Sequence, residues 1–118
     1  MLISKIANIQ WMNNVSTVNA EISIVPIGTS DTSMSKEIAA AYNAIRNLTN
    51  LKKVTLTPMS TQIESDKLDD IFQAIHVAHN SAKSVGAKRV ISTIRIDERL
   101  DKPNVLDDKV QSVETKMS

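Results

Sequence analysis

Two hydrophobic rhythms alternate along this chain. From Val18 to Val25 the apolar residues fall at every second position. Val18, Ala20, Ile22 and Ile24 share one face of a strand, and Asn19, Glu21 and Ser23 share the other. The run Val25-Pro26-Ile27-Gly28-Thr29-Ser30 then turns the chain toward a helix expected from Ser33 or Ser35 to Leu48. Its stripe is Met34, Ile38, Ala41, Ile45 and Leu48, at steps of three and four, and the hydroxyl residues before it are candidate N-caps. Alternation returns over Val54–Pro58 and Thr61–Glu64, which read as a hairpin. A second helix is expected from Ser65 or Asp66 to Val85, burying Leu68, Ile71, Phe72, Ile75, Ala78, Ala82 and Val85 and closed by Gly86. Arg89–Asp97 is the last strand. Val105 or Leu106 to Met117 is a terminal helix with the stripe Leu106, Val110, Val113 and Met117.

The order β-α-β-β-α-β predicts an α+β ferredoxin-like sandwich with an additional C-terminal helix. Residues 18–118 form its single domain and residues 1–17 an N-terminal extension, either a helix carrying Ile6, Ile9 and Trp11 or a disordered arm. Both core helices cover one sheet face, with Ile22, Ile24, Ile38, Ile45, Ile71, Phe72, Ile75, Val90 and Ile94 expected in the core. The other face is expected to carry Glu21, Ser23, Thr55, Thr57, Gln62, Glu64, Thr93 and Arg95. An antiparallel sheet can leave such a face in water, or two such faces can meet in an oligomer. The apolar stripe of the terminal helix lies outside the core and favours association.

At 118 residues and 42% apolar content the chain has enough material for one core. Its net charge of +1, from 14 basic and 13 acidic side chains, gives no electrostatic footprint for nucleic acid or anionic lipid. Cysteine is absent, which excludes disulfides and thiolate chemistry. No apolar run approaches the roughly 20 residues needed to span a bilayer, and residues 1–15 make a poor signal peptide. A cytoplasmic protein is the expectation.

Candidate chemistry narrows quickly. His76 and His79 are the only histidines, and their spacing puts them near one another on a helix. No HExxH pattern or helpful third ligand accompanies them, so a helix-surface or interface role is favoured over a metal site. Neither a G-x-S-x-G elbow nor a glycine-rich phosphate loop is present. Trp11, Tyr42 and Phe72 all lie off the core strands, so the base-stacking mode of RNA recognition lacks its residues. Glu64 and Arg95 remain as a charged pair on the open face, either a ligand contact, a cross-strand ion pair or solvated charges.

The segments Ile22–Ser30 and Leu56–Glu64, then Leu68-Asp69-Asp70-Ile71-Phe72 with His79, Gly86, Arg89-Val90 and Ile96–Lys102, resemble the thiamine-binding protein family. The resemblance runs from about Glu21 to Val113. It implies a non-enzymatic binder of thiamine or its hydroxymethylpyrimidine part, with no cofactor, no metal and no catalytic residue. It also implies a homodimer or homotetramer with sites near subunit interfaces. Carried over by position, Gly28, Thr29 and Ser30 line one side of the ligand, with Thr57, Thr61 and Glu64 opposite. The cluster Asp97, Arg99, Asp101 and Lys102 matches a family signature that touches ligand or organises a subunit interface. Ser60 and Ser65 stand where the family pattern has glycine, which alters the backbone freedom of the hairpin. The alternatives are an assembly module that uses the open face for protein contacts, and a small cofactor-free enzyme using His79 or Glu64.

Overall fold

The computed structural model describes residues 17–117. The alternatives for the N-terminal extension fall on residues 1–16, outside the described residues. β1 (Val18–Ile27), α1 (Ser35–Arg46), β2 (Lys53–Leu56), β3 (Thr61–Ser65), α2 (Leu68–Lys83), β4 (Arg89–Glu98) and α3 (Leu106–Thr115) follow in the predicted order. The strands lie as β2-β3-β1-β4 with every neighbouring pair antiparallel, so the first and last strands are adjacent in one sheet. This is the ferredoxin-like α+β arrangement, extended by α3. Among the described residues no helix is long and apolar enough to cross a membrane.

Alternation builds the core. Val18, Ala20, Ile22 and Ile24 of β1 and Ile63 of β3 meet Ala41 and Ile45 of α1 and Ile71, Ala74, Ala78 and Ala82 of α2. Ile75, Val90 and Ile94 pack at its rim, and Ile38 is half-buried. Phe72 departs from expectation: it is 54% exposed, and Leu68 is exposed as well. The apolar arc of α2 is wider than the stripe it buries. Turning Ala74, Ala78 and Ala82 inward lets the helix approach α1 and the sheet closely, because interaxial distance follows the size of the contact residues. Phe72, one residue (about 100°) round from Ile71, is then left at the margin.

Helix starts also differ from the pattern. α1 is capped at Met34 with no side-chain cap hydrogen bond, so the candidate hydroxyls before it do not cap it, although the Ser35 N–H reaches Ser33 Oγ at 3.4 Å. α2 begins at Leu68, later than Ser65 or Asp66, with Lys67 at its cap. Ser65 still belongs to β3 and is fully buried, its hydroxyl bonded to the Asp70 carboxylate. Gly86 follows α2 with φ +101°, the left-handed turn expected of it.

Strand register sets the outer face. Glu21 lies opposite both Gln62 and Arg95, Ser23 opposite Thr93, and Asn19 opposite both Glu64 and Asp97. Lys53 and Thr55 of β2 continue the same face against Glu64 and Gln62. Thr57 lies beyond the end of β2 in the hairpin turn. None of the residues of α3 is buried, and it is attached to this outer face through its first turn.

Candidate functional site

At the far end of β1 the chain needs glycine. Gly28 has φ +86°, and a Cβ there would sit 2.8 Å from Cβ of Lys88, whose own N–H donates to the Ile27 carbonyl at 3.0 Å. The loop then folds on its own polar groups. Thr29 Oγ1 donates to the Asp31 carbonyl at 2.9 Å, and the Asp31 carboxylate accepts the Ser33 N–H at 3.1 Å. This path carries the chain past exposed Ser30 and delivers Ser33 and Met34 to a groove between α1 and the β2–β3 turn.

The groove has a narrow inner part of about 170 Å³ walled by apolar side chains such as Ile24, Ile38 and Leu56, with Thr57, Ser60 and Thr61 among its lining. Outside it, a wider part of about 590 Å³ runs over Tyr42 and Pro58. Thr57 Oγ1 closes the turn by donating to the Ser60 carbonyl at 2.8 Å and accepting the Ser60 N–H at 3.1 Å. Thr61 differs. It is only 6% exposed, yet its hydroxyl has no side-chain hydrogen bond among the described residues. A hydroxyl that lines a groove without a protein partner is open to a hydrogen bond from a ligand.

Glu64 sits elsewhere. It lies on the outer face, is 7% exposed, and accepts the Leu106 N–H at 2.9 Å, so its carboxylate holds the first turn of α3. Asn19 Nδ2 donates to the Asn104 carbonyl at 2.7 Å, Lys53 pairs with Asp107 at 2.6 Å, and Lys109 pairs with Asp97. These contacts attach the start of α3 to the sheet. Arg95 is not the partner of Glu64, as the sequence suggested; it pairs with Glu21 at 2.7 Å, because β1 and β4 put those two directly opposite. Ser60 Oγ donates to the other Glu21 oxygen at 3.3 Å, a contact that glycine at this position lacks. A single chain therefore gathers Thr57 and Thr61 in one groove; Gly28, Thr29 and Ser30 do not line it, and Glu64 lies at the opposite end of the sheet.

The remaining candidates are engaged locally. His79 Nδ1 lies 2.6 Å from Ser92 Oγ, and His76 Nε2 lies 3.0 Å from the Asn80 amide, so the two rings make separate contacts. Arg99 grips Asp101 through two hydrogen bonds of 2.6 and 3.0 Å. That hydrogen bond holds the Asp101 carboxyl below the usual aspartate range and raises Arg99 above its ordinary value. Asp97 near the end of β4 pairs with Lys109 of α3, and Arg99, Asp101 and Lys102 lie in the loop that connects the two elements. Asn19 and Asn104 were not visible as partners in the sequence. The available signal was an amide side chain in β1 at the same parity as Glu21, which marks a polar position on the outer face.

Comparison with known proteins agrees with this architecture. A family profile described as "Thiamine-binding protein" matches residues 20–114. A UPF0045 protein of Methanothermobacter thermautotrophicus is 36% identical over 100 residues, covering 85% of this chain and 99% of the relative. The UPF0045 protein YqgV of Bacillus subtilis is 38% identical over 96 residues, covering 80% and 91%. The solved structure of hypothetical protein MJ1052 from Methanocaldococcus jannaschii aligns with a TM-score of 0.74 at 35% identity, over 83% of this chain and 96% of that one. A DUF77 domain from Bacillus cereus shares the fold with a TM-score of 0.71 at 22% identity, over 84% and 92%. With a profile spanning β1 to the end of α3, and relatives matching at this identity over most of their length, the chain belongs to the thiamine-binding protein family.

Proposed function

We propose that this chain is a non-catalytic, cytoplasmic binder of thiamine or its hydroxymethylpyrimidine part, received in the groove between α1 and the β2–β3 turn. The observation that carries this reading is Thr61: a residue only 6% exposed whose hydroxyl has no side-chain partner among the described residues, lining a largely apolar slot of about 170 Å³ in a protein of this family. A planar pyrimidine bearing an amino group needs apolar walls and a few oriented polar groups, which is the usual composition of a ligand pocket. The closed Thr57–Ser60 turn supports the rim, and the Gly28-Thr29-Ser30 loop leads to it through Ser33 and Met34. Homodimeric or homotetrameric assembly is part of the proposal. Val110 and Val113 of α3 and Met117 just beyond it are exposed on one chain, Val113 by 61%, and a second copy is the occupant proposed for that stripe.

Titration calorimetry with thiamine, its phosphates and hydroxymethylpyrimidine, run beside chromatography of the ligand, tests the reading. Saturable binding with the ligand recovered unchanged is expected. Thr61→Val keeps the shape and removes the hydroxyl, and should weaken binding by about two- to tenfold, the worth of one neutral hydrogen bond. Turnover would establish an enzyme instead. Binding to none of the compounds would favour a regulatory or assembly module that uses the open sheet face for protein contacts.

A further inference from the structure

The two edges of the sheet are built differently. β2, at one edge, is four residues long, a length that offers little for another strand to pair with. β4, at the other, runs ten residues in unbroken register with β1, and neither a proline nor a bulge interrupts it. Among the described residues no strand, loop or helix backbone bonds its far side, so alternate N–H and C=O groups there lack a protein partner. Two apolar side chains on this strand are also uncovered: Ile91 on the outer face is 43% exposed and Ile96 on the helix face 40%.

The order of side chains along β4 decides what pairs there. Directly opposed residues of an antiparallel pair share a face, so a two-fold axis through Thr93 lets the strand pair with itself. Arg89 then meets the partner's Asp97, Val90 the partner's Ile96, and Ile91 the partner's Arg95. Opposite charges and apolar pairs come together at both ends, each a favourable cross-strand combination. Arg89 has no ion pair among the described residues, and Asp97, already beside Lys109, gains a second cation. The aliphatic stem of Arg95, whose Nε stays on Glu21, covers Ile91. A slip of two residues sets Arg89 against Arg95 in one direction and Ile91 against Asp97 in the other. A slip of one turns the faces over. We infer that β4 is a dimerisation edge, pairing antiparallel with β4 of a second copy about Thr93 and joining two four-stranded sheets into one. This rests on the proposal that the chain assembles, but it leaves the α3 stripe free for a separate contact.

The chain has no cysteine, so Thr93→Cys puts a lone thiol on the axis. Opposed Cβ atoms about 4.5–5.5 Å apart are close to disulfide reach. Air oxidation should give a crosslinked dimer on a non-reducing gel, whereas Lys36→Cys, exposed on α1, should stay a single chain. Sedimentation of the full chain carrying Val110→Asp and Val113→Asp, which removes the α3 contact, should still show two chains. Adding Thr93→Lys, an exposed change that sets like charges face to face, should weaken that dimer by about tenfold or more; adding Thr93→Val should not. Hydrogen exchange should protect consecutive amides along β4 instead of alternate ones. No Thr93→Cys crosslink, or a dimer indifferent to Thr93→Lys, overturns the inference. So does a single-chain Val110→Asp/Val113→Asp variant, which leaves α3 as the contact and the assembly reading intact. A parent protein that sediments as one chain refutes both.

Discussion

Removing the Glu64 carboxylate separates a structural anchor from a ligand contact. Its Oε1 accepts the Leu106 N–H at 2.9 Å in a position 7% exposed, where a charged acceptor faces the start of a helix. A hydrogen bond to a charged group contributes about 1.5–3 kcal/mol and a neutral one about 0.5–1.5 kcal/mol, so Glu64→Gln, which keeps an acceptor, should cost about 1 kcal/mol. Glu64→Ala leaves the Leu106 N–H without that acceptor and should cost about 1–3 kcal/mol. Because no residue of α3 is buried, the loss should appear as local opening of the helix while the sheet stays closed. Amide hydrogen exchange should show protection over residues 106–115 falling about fivefold in Glu64→Gln and up to about a hundredfold in Glu64→Ala, with β1 and β3 little changed. Thiamine affinity should be retained in both. Unchanged α3 protection in Glu64→Ala would refute the anchor. A tenfold loss of thiamine affinity with α3 still protected would instead make Glu64 a ligand contact, as its position in the hairpin motif suggests.

Gly28→Ala combines left-handed strain with a Cβ 2.8 Å from Lys88, and should destabilise the protein by about 1–2 kcal/mol or more in denaturant titration. Phe72→Ala should cost about 1 kcal/mol, well short of the 3–5 kcal/mol of a fully buried ring, because more than half of the residue faces solvent. Aspartates at both Val110 and Val113 should lower the particle mass in light scattering without unfolding the sheet; an unchanged mass removes α3 from the subunit contact. The Asp101 carboxyl should titrate by NMR below the ordinary aspartate range, and Arg99→Gln should move it back up. Its folded-state value is lowered, so its favourable contribution is present above the unfolded value and is lost as pH falls through the folded one. Both side chains are exposed, so the titration midpoint is the quantity to follow.

Local patterns were sufficient to determine the elements, their order and the parity of the outer face. Alternation in β1, β3 and β4 leaves one choice of inward set, since a shift of one residue would turn Ile22 and Ile24 to water. The family motifs likewise marked the hairpin and the glycine turn before any geometry was known. Three matters were decided only in three dimensions. The buried arc of α2 depends on how closely it approaches α1, so alanines displaced Phe72. The partner of Arg95 depends on strand register, which paired β1 with β4 and gave it Glu21 in place of Glu64. The duty of Glu64 depends on Leu106, 42 residues away, arriving at its carboxylate. Periodicity reports which way a side chain faces within its own element. It carries no information about which distant backbone donor reaches that side chain, and for buried polar groups that long-range partner determines the role.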